Sequence, residues 1–340
     1  MSILRSQFRA ATQGTLALAV MIVLGPAVAT AWAQDTEKPK AEAKPPAPKR
    51  APIYDTKADT NALRVAATAR ARRGGTRVLV MFGFNECPWC HKLHELLGND
   101  AAIRKLARDE FTLLMVDIGA PHADELLKQC KAALSAEDLK KGVGYPFLSV
   151  LDGDGKVLTA QRTDPLEVGD HHDPEKVKAF LAKWVVEPRD ARTVVSEAVA
   201  KAASDDKAVF LHFGAPWCGW CHKLDDFLAR PEVAAIVARD YLDVKVDVDR
   251  MKNGKDVMEQ YTHGKQGGIP WFVVLDSAGK VQSTSDGPGG NIGYPAQPEE
   301  IAHFLGMLKK TARRIEPAQL DTLRKTLEDE AARIKASSGH

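Results

Sequence analysis

Apolar and polar positions along the chain form one pattern that occurs twice. A largely apolar run with β-branched and aromatic residues at 78–83 is typical of a buried strand, and a matching run occupies 209–214. Alanine-rich segments with apolar residues at helical spacing precede these runs, at 61–73 and 192–203. An amphipathic stretch follows each run. The pattern therefore predicts a helix, a buried strand and a second helix in each copy.

Later segments predict a hairpin in each copy. Residues 111–118 and 241–248 have the composition of second strands. The apolar segments 147–151 and 271–275 predict third strands, and each leads into a turn that contains Asp and Gly. Such turns join the strands of hairpins because these residues tolerate a positive φ. Each copy therefore has the order β-α-β followed by a hairpin and a closing helix, which is an α/β fold class.

A repeat with so long a period indicates a duplicated domain rather than a solenoid. Two domains of this size are each large enough to bury a core of their own. We expect the chain to be organised as a signal peptide or N-terminal anchor at 1–33, a disordered linker rich in Pro, Lys and Ala at 34–54, a first domain at 55–186, a second domain at 187–315 and a C-terminal helix or tail at 316–340.

The candidate chemistry lies between the buried strand and the helix that follows it. The first copy has Cys87 and Cys90 there, and the second copy has Cys218 and Cys221. A cysteine at a helix N-terminus meets unsatisfied N–H groups and the positive end of the helix dipole, and both favour the thiolate. The spacing and setting predict thiol–disulfide exchange at two catalytic sites, each with an exposed leading thiol and an inward-facing second thiol.

Residues 214–224 resemble the active-site segment of thioredoxin-like proteins, and Pro146 and Pro270 resemble the cis-proline of that superfamily. The resemblance implies two tandem thioredoxin-like folds, each a central mixed sheet flanked by helices. It also implies that Cys218 attacks a substrate and Cys221 resolves the intermediate. Tryptophan lies between the cysteines of both copies, at Trp89 and Trp220, where periplasmic disulfide isomerases carry an aromatic residue. We expect both tryptophans to contact substrate.

The chain departs from the superfamily pattern behind the dithiols. Thioredoxins keep a buried acid six positions before the attacking cysteine, where this chain has Met81 and His212. The lysine that accompanies that acid matches Lys245 in the second copy, whereas the first copy has Met115. His212 is either a proton acceptor or a hydrogen-bonded core residue, and the sequence leaves both interpretations open.

The residues just before the dithiols also differ between the copies. Glu86 precedes Cys87, whereas Trp217 precedes Cys218. A neighbouring carboxylate disfavours a thiolate. We therefore predict that Cys218 is the more reactive of the two leading cysteines.

The N-terminal segment indicates export. Arg5 and Arg9 precede an apolar stretch at 16–32 that ends in small residues, as in a cleaved secretory signal; an uncleaved anchor is the alternative. We expect a periplasmic protein that acts on exported proteins carrying disulfides or thiols and exchanges electrons with a membrane-bound donor or acceptor. The chain has 47 basic and 45 acidic residues, a balance that gives no indication of a nucleic-acid partner.

Other functions remain alternatives. C-x-x-C-H is also the attachment motif of c-type haem, with His91 and His222 otherwise expected to be surface residues. Four cysteines could hold zinc, and a thioredoxin-like domain could bind peptides as a chaperone module with one degenerate redox site. The recurrence of strand, proline and hairpin favours redox chemistry with no cofactor and no metal. The fifth cysteine, Cys130, is expected to be a helical core or boundary residue, with a role as a third redox thiol as the alternative.

Overall fold

The computed structural model describes residues 50–265 and 267–337 of the chain. The expected signal or anchor at 1–33 lies outside the described residues, as does most of the expected linker. None of the helices in the described ranges has the length and apolarity that a membrane span requires. The described residues form two halves with the same order of elements.

The first half contains six helices and six strands, with a short 3₁₀ turn before β5. In chain order they are α1 (Thr60–Gly74), β1 (Arg77–Gly83), α2 (Pro88–Asn99), α3 (Ala101–Glu110), β2 (Phe111–Asp117), α4 (Ala123–Lys131), α5 (Ala136–Lys141), β3 (Phe147–Leu151), β4 (Val157–Arg162), β5 (Glu167–Val168), β6 (His171–His172) and α6 (Pro174–Lys183).

The second half repeats this order with one helix fewer in the middle and one more at the end. Its elements are α7 (Ala191–Ser204), β7 (Ala208–Gly214), α8 (Gly219–Ala229), α9 (Pro231–Val237), β8 (Tyr241–Asp247), α10 (Gly254–Thr262), β9 (Trp271–Leu275), β10 (Val281–Thr284), β11 (Asp286–Gly287), β12 (Gly290–Asn291), α11 (Pro298–Thr311) and α12 (Pro317–Ser337).

Each half is built on a four-stranded mixed sheet. The strand order is β2-β1-β3-β4 in the first half and β8-β7-β9-β10 in the second. The central strand of each sheet, β1 or β7, is parallel to the strand after the next helices and antiparallel to the third strand. These sheets and their flanking helices confirm the expected α/β class and the two tandem thioredoxin-like folds.

Both faces of each central strand are buried, which explains the unbroken apolar runs. In β1, Leu79 and Met81 face one core cluster while Val78, Val80 and Phe82 face another. Successive side chains of a strand point to opposite faces, so a strand covered by helices on both sides needs apolar residues throughout. The end of β1 therefore holds the following loop and α2 in a fixed position.

The end of the expected linker is ordered, contrary to the prediction that it is disordered through residue 54. Tyr54 is buried, with only 4% of its surface exposed. The side-chain oxygen of Asn85 accepts hydrogen bonds from the backbone N–H groups of Ile53 and Tyr54, at 2.8 and 2.9 Å. One tyrosine and one amide 31 residues away thus order a segment whose composition is that of a linker.

The C-terminal helix α12 completes the core of the second half. Leu323 and Leu327 are fully buried against the cluster that contains Phe304 and Leu308 of α11. Full burial of a leucine contributes roughly 1.5–3 kcal/mol. This helix, which lies outside the sequence repeat, is therefore integral to the second half.

The two halves belong to one compact unit and are joined by a buried arginine. Arg250 follows β8, and its Nε donates to the Glu110 carboxylate at the end of α3, at 2.8 Å. Its two terminal nitrogens donate to the carbonyl oxygens of Gly74 and Val186, at 3.1 and 3.0 Å. The guanidinium of the second half thus satisfies backbone and side-chain acceptors of the first.

Candidate active site

In both halves the leading cysteine caps the helix that carries its partner. Cys87 precedes α2 and Cys218 precedes α8, and each has extended backbone geometry typical of an N-cap. The leading Sγ lies 3.1 Å from the backbone nitrogen of the second cysteine, Cys90 or Cys221, which donates to it. Each pair is joined as a disulfide. Both leading sulfurs therefore lie where helix N–H groups stabilise negative charge.

The prediction that the leading sulfurs are open to solvent is wrong in this oxidised state. Cys87 is 3% exposed and Cys218 is 5% exposed, while the second cysteines are at most 2% exposed. The segment before each proline covers the leading sulfur: the carbonyl oxygens of Tyr145 and Ile269 lie 3.6 and 3.5 Å from it. This cover comes from a part of the chain more than fifty residues away.

Pro146 and Pro270 occupy equivalent positions just before the third strand of each sheet. The peptide bonds that precede them are cis. In the first half the Pro146 carbonyl accepts a hydrogen bond from the buried hydroxyl of Thr163. In the second half the Pro270 carbonyl accepts one from the Asn291 side chain, at 3.0 Å. Both proline loops are thus held by a side chain that follows the third strand in sequence, Thr163 after β4 in the first half and Asn291 of β12 in the second.

The aromatic residue of the first dithiol is half-buried among polar neighbours. Trp89 packs edge-on against the imidazole of His172, with ring centres 5.2 Å apart. The ammonium of Lys92 lies 4.7 Å from the centre of the indole. His172 is itself buried, and burial followed by the charges of Lys92 and His171 lowers its pKa to about 4.

The aromatic residue of the second dithiol is half-exposed and forms one wall of a cavity. Trp220 stacks on Tyr294 with ring centres 6.1 Å apart and an interplanar angle of 19°. The cavity encloses about 240 Å³, and its other walls include Ile269, Pro270 and Ile292. Because the Ile269 carbonyl also contacts Cys218, the cavity adjoins the leading sulfur. Its size and lining suit one apolar side chain.

The tryptophan immediately before the second dithiol is exposed and anchored at its polar end. Trp217 is 56% exposed, and its indole N–H donates to the Asp249 carboxylate at 2.6 Å. This hydrogen bond, together with one from Lys255, lowers the pKa of the Asp249 carboxyl. The indole face is left available next to Cys218.

A cluster of ionisable groups lies behind the second dithiol. His212 is buried, with Nε2 3.0 Å from the Asp243 carboxylate and Nδ1 3.8 Å from that of Asp225. Lys245 forms a buried ion pair with Asp225. The Lys245 Cε and the Cys221 sulfur both lie within 4 Å of the position a Cβ on Gly214 would occupy. The second half therefore does contain a buried acid and lysine beside its inner cysteine.

Asp225 belongs to this cluster although the strand pattern of the sequence does not indicate it. It lies on α8 four residues after Cys221, so both side chains lie on the same face of the helix. The acid that thioredoxins keep corresponds to the strand position of His212, whereas in this chain the buried acid lies on the helix. The helical spacing and the presence of Lys245 on the adjacent strand were the available signals. Asp225, Lys245 and His222 line a cavity of about 410 Å³ between the halves.

The first dithiol has no counterpart of this cluster at the same positions. Met81 and Met115 are paired across β1 and β2, as His212 and Lys245 are across β7 and β8. The position that corresponds to Asp225 is occupied by His94, which lines the cavity between the halves. The inner sulfurs of the two sites therefore have different electrostatic surroundings.

The histidines that follow the dithiols hold the active-site loops. His91 is 5% exposed, so the prediction that it is a surface residue is wrong. Its Nε2 lies 2.7 Å from the Asn85 carbonyl, and the Nε2 of His222 lies 2.8 Å from the Pro216 carbonyl. Each ring thereby closes the loop that leads into its cysteine. In the described part of the chain, no group of three or more His, Cys, Asp or Glu residues could hold a metal ion.

Cys130 lies apart from both dithiols. It is a fully buried residue of α4, as expected, and burial raises the pKa of its thiol to about 11. A thiol so difficult to ionise is a poor nucleophile at neutral pH.

Family models match the chain in two ranges, each of which contains one dithiol. The Thioredox_DsbH model, described as "Protein of unknown function, DUF255", matches residues 171–315. A model described as a thioredoxin-like domain matches residues 65–163.

Individual proteins also match parts of the chain. Human Spermatogenesis-associated protein 20 is 26% identical over 93 residues, which are 27% of this chain; the chain thus spans 12% of the length of that curated relative. A crystal structure of a disulphide isomerase from Xylella fastidiosa Temecula1 is 28% identical and covers 43% of this chain and 92% of its own, with a TM-score of 0.28. A structure of a DsbH oxidoreductase is 20% identical and covers 36% of this chain and 83% of its own, with a TM-score of 0.26.

Proposed function

Because the chain belongs to the thioredoxin-like superfamily and carries a dithiol in each of two domains, we propose that it reduces or isomerises disulfides of exported proteins. Thiol–disulfide oxidoreductase activity is what the fold and the two C-x-x-C pairs support in general terms. The observation that carries the proposal is the position of Cys87 and Cys218 at helix N-termini, each with its partner cysteine within bonding reach.

The proposed reaction proceeds through a mixed disulfide. The Cys218 thiolate attacks one sulfur of a substrate disulfide, and the other substrate sulfur leaves with the bonding electron pair and takes up a proton. Cys221 then loses its proton and attacks Cys218, which releases the second substrate sulfur. The two cysteines end as a disulfide and the substrate as a dithiol, so two electrons and two protons pass to the substrate. We propose that the Asp225 carboxylate, which is paired with Lys245, receives the Cys221 proton.

The surroundings of Cys218 favour a polypeptide as substrate. The cavity beside Trp220 accepts one apolar side chain, and the Trp217 face adds apolar surface on the same side. The segment that ends at Ile269 lies against the sulfur and provides backbone groups to an extended peptide.

Continued reduction requires electrons from another protein. We propose a membrane-bound donor in the periplasm, in agreement with the signal expected at residues 1–33. Isomerisation needs no net electron supply, because the attacking thiolate is regenerated when the substrate rearranges.

Insulin reduction by the full-length protein tests the proposal. Wild-type protein should precipitate the insulin B chain in the presence of dithiothreitol, and Cys218→Ser should abolish most of this activity. Equal losses in Cys218→Ser and Cys87→Ser would show two working sites. Activity that survives with both leading cysteines replaced by serine would contradict the proposal.

The relative reactivity of the two leading thiols is a separate test. Alkylation by iodoacetamide as a function of pH, measured with the other dithiol replaced by serines, gives the pKa of each thiol. We expect the lower pKa for Cys218, because Glu86 lies next to Cys87. A lower value for Cys87 would reverse the assignment.

A further inference from the structure

The inner cysteine of the first dithiol has a tyrosine hydroxyl as its neighbour. Tyr54 precedes α1 and is buried in the same core cluster as Cys90. The Tyr54 Oη and the Cys90 Sγ lie 2.4 and 2.5 Å from the position that a Cβ on Gly83 would occupy. Both atoms therefore border the same small space, which exists because residue 83 is glycine.

The tyrosine is held there by the active-site loop itself. The Asn85 side chain accepts from the Ile53 and Tyr54 N–H groups and donates to the Tyr54 carbonyl at 3.0 Å. Asn85 lies two residues before Cys87, and its own carbonyl lies 2.7 Å from the His91 ring. The segment with Tyr54 and the loop that carries the dithiol thus form one hydrogen-bonded structure.

The Tyr54 hydroxyl has no hydrogen-bond partner among the described residues in the oxidised state. Within residues 50–265 and 267–337, no group forms a hydrogen bond with the Tyr54 Oη, although the atom is buried. Buried hydroxyls are nearly always hydrogen-bonded, so an unsatisfied one at a reactive sulfur calls for an explanation. Burial and the charge of Asp117 both raise the pKa of Tyr54, so the hydroxyl keeps its proton at neutral pH.

The second half shows which interaction the first half lacks. Lys245 and Asp225 lie beside Cys221, whereas methionines occupy the positions of His212 and Lys245 in the first half. A buried thiolate without a cation or a hydrogen-bond donor is costly. We propose, on the basis of the exchange reaction above, that the Tyr54 hydroxyl donates a hydrogen bond to the Cys90 sulfur once the disulfide opens, and so stabilises the thiolate that resolves the mixed disulfide.

The step keeps atoms and electrons in balance. In the mixed disulfide, Cys87 is bonded to the substrate sulfur and Cys90 is a thiol. Cys90 loses its proton to water, and its thiolate attacks the Cys87 sulfur. The bond between Cys87 and the substrate breaks, and the substrate sulfur leaves with the electron pair and is protonated by water. Tyr54 keeps its own proton throughout, so it is a positioning residue.

A two-step reaction with 5,5′-dithiobis(2-nitrobenzoate) separates the attack by Cys87 from the resolution by Cys90. Full-length protein with Cys218 and Cys221 replaced by serine is reduced and mixed with this reagent in a stopped-flow instrument. Attack by Cys87 releases the first thionitrobenzoate, and attack by Cys90 releases the second. In Tyr54→Phe we expect an unchanged first phase and a second phase slowed roughly 10- to 100-fold, the range that hydrogen bonds to charged groups supply. Tyr261→Phe, which removes the hydroxyl of a half-buried tyrosine of α10, should alter neither phase.

The pKa of Cys90 provides a second readout that a packing role would not change. In a protein with Cys87, Cys218 and Cys221 replaced by serine, thiolate absorbance against pH reports Cys90, because the Cys130 thiol ionises only near pH 11. We expect Tyr54→Phe to raise the Cys90 pKa by about one to two units.

Three outcomes separate the possibilities. If Tyr54→Phe matches the parent in the second phase and in the Cys90 pKa, while Tyr54→Ala is slow, Tyr54 only fills space and the inference is overturned. If near-ultraviolet circular dichroism shows that Tyr54→Phe is not folded, Asn85→Ala replaces it. Asn85→Ala releases the segment that carries Tyr54 and should also slow the second phase. If the parent protein releases no thionitrobenzoate at all, the proposed function fails, and not only the role of Tyr54.

Discussion

The buried imidazole of His172 makes the stability of the first half depend on pH. The side chain is 2% exposed, and in the described part of the chain neither ring nitrogen has a hydrogen-bond partner. Burial, with smaller contributions from Lys92 and His171, lowers its pKa from 6.5 to about 4. The folded protein therefore favours the neutral ring.

The sign and the size of the effect follow from proton binding. Between pH 6.5 and 4 the unfolded chain binds a proton at His172 and the folded chain does not. Stability contributed by the neutral ring is thus complete above pH 6.5 and is lost as the pH falls towards 4. Each pH unit within this window is worth up to about 1.4 kcal/mol, so the free energy of unfolding falls by about 2 kcal/mol between pH 7 and pH 5.

Replacement of His172 by leucine removes this titration and keeps an apolar contact for Trp89. Urea unfolding at pH 7 and pH 5 should show that the free energy of unfolding falls by about 2 kcal/mol more in the wild type than in His172→Leu. His171→Leu is the matched control: it changes the neighbouring histidine, whose side chain is 61% exposed, and should follow the wild type.

Proton magnetic resonance of the imidazoles measures the same quantity directly. The resonance absent from His172→Leu should titrate near pH 4 in the wild type. Titration of that resonance near pH 6.5 would refute the reasoning. So would a His171→Leu variant whose free energy of unfolding depends on pH as weakly as that of His172→Leu.

Four further predictions concern the stability of the fold. Lys245→Met leaves the buried Asp225 carboxylate without its lysine and with only His212 nearby, and it should destabilise the second half by about 3–5 kcal/mol in urea unfolding; adding Asp225→Leu should restore most of the loss, and a stable single variant would contradict the burial argument. Gly83→Ala places a methyl group 2.4 Å from a tyrosine oxygen and should cost about 1–3 kcal/mol. Gly98→Ala, where the space is open, should stabilise by up to about 1 kcal/mol in the same thermal melts. Arg250→Ala removes the buried hydrogen bonds from Arg250 to Glu110, Gly74 and Val186 and should speed proteolysis of the segment at 184–190; an unchanged digestion rate would show that other contacts, such as the ion pair of Arg70 with Asp226, hold the halves together.

The features that local sequence determines were predicted well. The run at 78–83 is apolar at every position because β1 is covered on both faces, so the strand is visible in the sequence alone. The helix start at each dithiol follows from the cap and, in the first half, from Pro88 at the first helical position. The mixed sheets then follow from the order of the elements.

The features that depend on distant contacts were not predicted. Asp225 becomes part of the second site only because β8 brings Lys245 to the same face. Cys87 and Cys218 are buried because the proline loops cover them, and nothing near the cysteines in sequence indicates this. Tyr54 was assigned to a linker because a single aromatic residue among polar ones gives no pattern.

The packing of α12 determines when the second half can finish folding. Chains leave the ribosome N-terminus first and fold domain by domain. All the core elements of the first half precede α7, so that half can fold before the second is complete. Leu323 and Leu327 lie more than one hundred residues after Cys221, yet they complete the core around Phe304. The second dithiol therefore gains its full framework only after α12 has been made.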